Sequence, residues 1–573
     1  MILQSLLRLA ERDPDVTPEG YERRSYHWAV VLDLSGNVVR LEDLRVDGDP
    51  IRLVTPSWPA NRTSGIIPSW LTDPMPYVLG YGDDKGATKV GRWAAYNGEL
   101  LANATDPRLI ALRIWLASWS AEAGVALWEQ DGDRPADPAD AKQVERMRDA
   151  AKASGVAIKV LNDTEDSEVW AHEIPEARAI WERAQVPEGA PVGLCLVTGE
   201  HGPLVQHHPT LPLGEMGKLI SIDGDSTSLA RWGYDGLDNS PMGRRATHAY
   251  SSALRALHQR RQYVRLAGLL VYYWSDAEGL ATRALEAELQ AIFGEGADAA
   301  AESEDKLLAE AVEALRNGQI PAGGLPETPY HLLAISPGKG RHAVRWVMQS
   351  TLGEYVAALH RHARDLDLRR PPKLWWMLSA CVAREEQITP ALAVSLAQAI
   401  LTGSRYPDQL ALGALDRLRV CAPVPASDKS ANATLRMRIA VLRGWLARNH
   451  NLAEDQMTES TPYRLGRLLR IVEEMQLRDN PKIALTVRDR YWATLSARPS
   501  SVLGRLLGNV GIYKASMRRS GNGGLAEWFD QQIAELLDDI EVPDEMADTD
   551  RAQMALGYYA QRNRKPAEAE AAA

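Results

Sequence analysis

The apolar positions along this chain follow two periods, and the change from one to the other divides it. In the N-terminal half they alternate or cluster in short runs, as strands do. Trp28 to Leu34 and Val38 to Leu44 flank a Ser35-Gly36-Asn37 step and predict a β-hairpin. Before it, Leu3, Leu6, Leu7 and Ala10 share one helical face. Val192 to Val197 and Ile220 to Asp223 read as short strands, Arg244 to Arg260 has helical spacing, and Val271 to Trp274 closes a β-rich block. From Pro371 onward the period is that of a helix. Leu435, Ile439, Leu442 and Leu446 make one stripe, and Leu465, Leu468, Val472 and Met475 a second. Val502, Leu506, Val510, Tyr513 and Met517 follow, then Leu525, Phe529, Ile533, Leu536 and Ile540, with Met554 and Tyr558 on a last helix. Such stripes face a core, so the expected fold is α+β: a multidomain N-terminal α/β part and a C-terminal α-helical bundle.

The expected divisions are 1–110 (mixed α/β), 111–370 (a central mixed core) and 371–573 (the bundle). The Ala/Glu-rich stretch 276–328 ends in Gly and Pro and reads as an exposed helical insertion. The Ala-rich tail after Lys565 reads as disordered.

Composition narrows the function without naming it. A hydrophobic fraction of 45% and a charged fraction of 25% are ordinary for a soluble protein. No apolar run approaches the ~18 residues that span a bilayer, so no membrane association and a cytoplasmic location are expected. Cys195, Cys381 and Cys421 lie far apart, which suits a reducing compartment. Cys195, His201, His207 and His208 match no common zinc spacing, and Asp223-Gly224-Asp225 reads as a turn, so no metal and no cofactor are expected. Gly338-Lys339-Gly340-Arg341 lacks the P-loop pattern, and neither H-E-x-x-H nor G-x-S-x-G occurs. The chain therefore reads as non-catalytic. A nuclease or NTPase assembled in space, and a scaffold touching only protein, are the alternatives.

The net charge of −11 is unevenly distributed, and that changes the picture. Residues 431–520 hold 16 Lys/Arg against 7 Asp/Glu, whereas residues 521–573 hold 4 against 12. Binding phosphate needs a basic surface rather than a basic protein. Arg436 and Arg443 share a helical face, as do Lys514 and Arg518, and Arg488, Arg490 and Arg519 lie in the same basic stretch. Arg341 and Arg345 follow the Gly/Lys loop. All are candidates to track nucleic-acid strands, and the competing reading of each is an ordinary solvated arginine. Near the N-terminus the loop-like stretch 60–69 carries Arg62, Thr63, Ser64, Gly65 and Ser69, with Lys85, Lys89 and Arg92 just downstream. Donors beside a glycine allow close approach to a phosphate or a base.

Collinear motifs give a resemblance. Cys195-Leu196-Val197-Thr198-Gly199-Glu200 is followed by His208-Pro209, Ser221-Ile222-Asp223, Ala249-Tyr250 and Ala253-Leu254. Upstream stand Val30-Val31-Leu32-Asp33, Arg62-Thr63-Ser64-Gly65-Ile66 and Tyr77-Val78-Leu79-Gly80. Downstream stand Leu332 to Pro337, Arg345-Trp346, Tyr406-Pro407, Asp489-Arg490-Tyr491 and Gly557-Tyr558-Tyr559. Together they resemble the large subunit of the type I-C CRISPR surveillance complex. The resemblance implies a protein that reads the short PAM duplex beside a DNA target and helps open it. It also implies that the protein stabilises the R-loop and supports a separately recruited helicase-nuclease. The implied partners are guide RNA with the backbone and RNA-processing subunits, target double-stranded DNA, and a small subunit made from an internal start in the same gene. Met437 is the candidate start and Met457 the runner-up. Where the family pattern has Asn-Phe this chain has Ser69-Trp70, which bears on the base reader and the preferred motif.

Overall fold

Two compact units account for the chain: residues 3–212 with 218–256, and residues 213–217 with 257–573. The computed structural model describes residues 2–58, 65–132, 150, 154–162, 167–186, 189–205, 207–221, 237, 240–294, 305–420 and 427–562.

The first unit is built on strand β1 (Tyr21–Leu32), whose last five residues, Trp28 to Leu32, are all buried. It pairs antiparallel with β2 (Val38–Asp43) and β3 (Ile51–Pro56), and parallel with β5 (Gly155–Leu161). Trp28, Val30 and Leu32 enter one core cluster and Tyr26 and Ala29 another, so both faces are covered, hence the unbroken apolar run. β4 (Asp73–Pro74) and β6 (Glu168–Trp170) complete the sheet along β5. The expected hairpin is present: Gly36 takes φ +84°, and Asp33 Oδ1 accepts the N–H groups of Ser35 and Asn37 at 2.9 and 2.8 Å. Tryptophans fill the core. Trp28 meets Trp128 edge-to-face at 4.9 Å and Trp93 meets Trp115 at 5.9 Å, with Trp70 fully buried among them.

In the second unit an antiparallel sheet runs in the order Tyr263–Leu266, Leu269–Ser275, Pro329–Ser336, Ala343–Thr351. Helices follow, several of them started by a recognisable device. Thr351 and Glu354 form a capping box, Thr389 precedes Pro390, and Ser460 caps a helix whose first turn holds Pro462. The predicted stripes lie on helices, except that Ile540 falls beyond the end of Gly523–Leu537: Leu465, Leu468, Val472 and Met475 are wholly buried on Thr461–Asp479, and Val502, Leu506, Val510 and Met517 are buried on Ser500–Arg519. Two glycines set the closest approach. A methyl on Gly466 would overlap the carbonyl of Met554, and one on Gly557 would overlap that of Tyr463, so Thr461–Asp479 and Asp548–Arg562 pack backbone against backbone.

The structure therefore has a mixed α+β N-terminal region and a C-terminal region of long helices. Two local expectations need correction. Within 276–328, Leu280–Phe293 is no exposed insertion: it buries Leu285, Leu289 and Ile292 against the sheet, and Glu288 is buried with them and paired with Arg316 at 2.9 Å. The run Val192 to Val197 yields only the three-residue strand Val192–Leu194, with Val192 and Leu194 exposed in a hairpin with His201–Pro203. The strand expected at Ile220 to Asp223 falls partly outside the described residues, and the neighbouring strand is Glu215–Lys218. The tail after Lys565 also lies outside them.

Candidate nucleic-acid interface

Arg62, Thr63 and Ser64 lie outside the described residues. Gly65, next to them, is exposed with open space where a side chain would stand. Beyond Pro68 the chain dives inward. Ser69 is buried, its N–H donating to Asp73 Oδ2 at 2.8 Å, while its carbonyl accepts from Asn97 Nδ2 at 3.0 Å. Asn97 Oδ1 in turn accepts the Leu71 N–H at 2.8 Å and holds Leu71 at φ +56°, a strained region for a leucine. Ser69 is thus part of a clamp that anchors the loop, and its hydroxyl is buried rather than presented to a base. Nothing within the segment reveals this, because the clamp residue Asn97 comes from the helix Gly86–Leu100.

That helix also carries the downstream cations. Lys85 and Arg92 are exposed, and Arg92 Nη1 donates to the Ile66 carbonyl at 3.4 Å, tying the helix to the loop. Lys89 is half-buried: it pairs with Asp83 at 2.9 Å and lies over the Tyr77 ring at 5.0 Å. Its charge is matched locally, so Lys85 and Arg92 are the described cations that face water here.

The second unit holds a groove of about 870 Å³. Lys429, Asn432, Arg436 and Arg443 line one side, all from the helix Lys429–His450, and Tyr463 and Tyr559 stand on other helices around it. The seven-residue spacing of Arg436 and Arg443 does bring them to one concave surface. Arg436 is exposed, and Arg443 pairs with Asp367 and, at 3.3 Å, with Glu454. Sequence reasoning missed Lys429, Asn432 and the two tyrosines. Tyr559 was legible only as part of a Gly-Tyr-Tyr motif, and its place in the groove depends on which way its helix turns.

The remaining candidates separate by burial. Arg341, Arg345 and Arg490 are exposed. Arg488 is not: it is buried, it donates to the Leu418 carbonyl at 2.5 Å and it lies 5.1 Å over the Trp492 ring, so it is a core residue and not a strand contact. Lys514 pairs with Asp530 and Arg518 with Glu527, so the acidic helix Gly523–Leu537 answers the basic end of Ser500–Arg519. Arg519 is exposed, its Nε–H donating to the Ala515 carbonyl at 3.3 Å.

Cys195 and His208 are buried and His201 and His207 exposed; His208 is hydrogen-bonded to the Tyr250 hydroxyl at 2.9 Å. Asp223 and Asp225 lie outside the described residues. Among the described residues no group of three or more His, Cys, Asp or Glu side chains is placed to hold a metal ion, and no single helix is long and apolar enough to cross a membrane.

The arrangement defines a two-unit α+β protein whose second unit gathers arginine and tyrosine side chains on a helical groove. The CRISPR-associated protein family Cas_Csd1 matches residues 4–565, and the chain belongs to that family. No curated protein matches it.

Proposed function

We propose that this chain is the non-catalytic large subunit of a type I-C CRISPR RNA-guided interference complex. Its membership of the Cas_Csd1 family over residues 4–565 is the observation that carries this reading. Sequence specificity then comes from guide pairing, and the protein contributes PAM reading, duplex opening and strand retention. The segment 62–65 with Lys85 and Arg92 reads the PAM, and the buried Ser69–Asn97 clamp holds the chain beyond Pro68. The groove of Lys429, Arg436 and Arg443 holds an opened strand in the R-loop. Arg443 is reachable there because its partners Asp367 and Glu454 are themselves exposed, and exposed pairs are worth only about 0–1 kcal/mol. Arg341, Arg345, Arg490 and Arg519 add exposed positive charge, while Lys514 and Arg518 would have to exchange a carboxylate for a phosphate.

The partners in this reading are the guide RNA with its backbone and RNA-processing subunits, target double-stranded DNA, and a separately recruited helicase-nuclease. A small subunit initiated at Met437 is a further partner. Met437 is buried part-way along the helix Lys429–His450, so a fragment starting there keeps Arg438 and Arg448 but loses their acceptors, the Ala380 carbonyl and Asp365. A start at Met457 instead drops that helix and keeps Thr461–Asp479 through Asp548–Arg562. Both questions meet in one preparation: the complex purified with and without this chain. Duplex binding should require the chain, and intact mass should reveal a C-terminal fragment beginning at one of the two methionines. Undiminished, PAM-dependent binding without the chain would refute the reading.

A further inference from the structure

The helix Leu374–Cys381 buries Leu374, Met377, Leu378, Ala380 and Cys381 and leaves Trp375 and Trp376 outside, 49% and 41% exposed. Two adjacent indoles standing half in water are a contact surface awaiting an aromatic or apolar partner. The residues just before them read Arg369-Arg370-Pro371-Pro372-Lys373. Arg369 and Arg370 are exposed, Lys373 is half-buried, and both prolines are buried. The buried prolines fix the backbone between the cations and the indoles, so little conformational freedom remains to be lost on binding.

We infer that Arg369 to Trp376 is a docking surface for single-stranded DNA, with bases stacked on Trp375 and Trp376 and phosphates on Arg369, Arg370 and Lys373. This rests on the function proposed above, and it adds a second strand contact that does not use the groove of Arg436. Charge selects the occupant: the eight residues carry three cations and no carboxylate, complementary to a polyanion. Shape agrees, because indole faces accept any base, whereas a docked protein helix would require a continuous apolar trough. The stretch also has no Asn, Gln, Ser, Thr, Asp or Glu to pair with a base edge or a 2′-hydroxyl. Stacking on the indole faces and contacts to phosphate both tolerate any sequence. A displaced DNA strand, whose sequence differs at every target, needs a contact of that kind.

The test uses the assembled complex and three labelled strands of equal length: oligo(dT), oligo(rU) and an abasic phosphodiester. The wild type should hold oligo(dT) more tightly than the abasic strand and at least as tightly as oligo(rU). Trp375→Ala with Trp376→Ala should weaken oligo(dT) binding by about 5- to 150-fold per lost stacked base and erase the advantage over the abasic strand. Trp375→Phe with Trp376→Phe should restore most of that advantage. Arg369→Gln with Arg370→Gln should weaken all three strands and lower the salt slope by about 0.7 per lost phosphate contact. An Ala variant that keeps the wild-type advantage, a preference for oligo(rU), or loss of a protein subunit from the Ala complex would each overturn the inference. A guide-matched duplex run alongside separates the two claims. If the wild-type complex binds it and the Ala variant retains its oligo(dT) preference, only the Trp surface fails; if the wild type does not bind it, the proposed function fails.

Discussion

Gly557→Ala should unfold the C-terminal helices at a much lower urea concentration than the wild type. The added methyl would meet backbone, the Tyr463 carbonyl, and backbone cannot swing away as a side-chain tip can. The helices Thr461–Asp479 and Asp548–Arg562 must separate, and overpacking of this kind costs about 1–3 kcal/mol, occasionally more. Here the larger end is expected, because separation also disturbs a buried polar cluster. The Tyr558 hydroxyl donates to Glu473, which is wholly buried and paired with Arg470 at 2.6 Å. Gly466→Ala, on the facing helix, should behave alike through Met554. Gly504→Ala is the control of opposite sign: open space surrounds Gly504 within Ser500–Arg519, so alanine should stabilise by about 0.5–1 kcal/mol. Urea titrations monitored by circular dichroism decide it, and equal midpoints for Gly557→Ala and the wild type would show that the two helices are not in backbone contact.

Acidification should pull the second unit's stability in two directions that single variants separate. His362 is buried, Nδ1 hydrogen-bonded to the Tyr406 hydroxyl at 2.6 Å, and burial first, then the Arg448 guanidinium, holds its pKa down to about 3. The unfolded imidazole takes a proton near pH 6.5 while the folded one does not. The stability due to neutral His362 is therefore complete above pH 6.5 and falls by about 1.4 kcal/mol per pH unit below it, until the folded group itself protonates. Glu286 works oppositely. Burial pushes it up to about 7, against the hydrogen bond from Gln262 at 2.9 Å, so between pH 7 and 4.5 the folded state holds the proton the unfolded state releases. Stability from Glu286 rises as pH falls through that window. Glu286→Gln should therefore make the protein lose stability on going from pH 7 to pH 5 by about 1.4 kcal/mol per unit more than the wild type does. The pair His362→Phe with Tyr406→Phe should shift the slope by a similar amount the other way. Urea midpoints at pH 5, 6 and 7 measure both slopes, and parallel curves for the two variants would contradict the assignment.

The C-terminal helices were legible because their period survives context: Leu465, Leu468, Val472 and Met475 can share a face in only one regular structure, and all four are buried. The hairpin at Ser35-Gly36-Asn37 was legible because its glycine permits the positive φ the turn needs. What failed to show depended on distant residues. Ser69 is buried by Asn97, and Arg488 is held by a carbonyl at Leu418, so local charge and polarity pointed both outward. The alanines of Leu280–Phe293 mimicked an exposed helix while Leu285, Leu289 and Ile292 carried the packing. Lys514 and Arg518 looked like an open basic ridge because Asp530 and Glu527 belong to the next helix.

The central claim is that the chain acts on DNA only as part of a guide complex, through both a flanking motif and an opened target. The most direct measurement is a gel-shift titration of the purified complex in which the guide match and the flanking motif of the duplex are varied independently. The proposed function predicts tight binding only when both are right, and no cleavage by the chain with magnesium or manganese. Binding indifferent to guide and motif, or metal-dependent cleavage abolished by a point substitution in this chain, would contradict it.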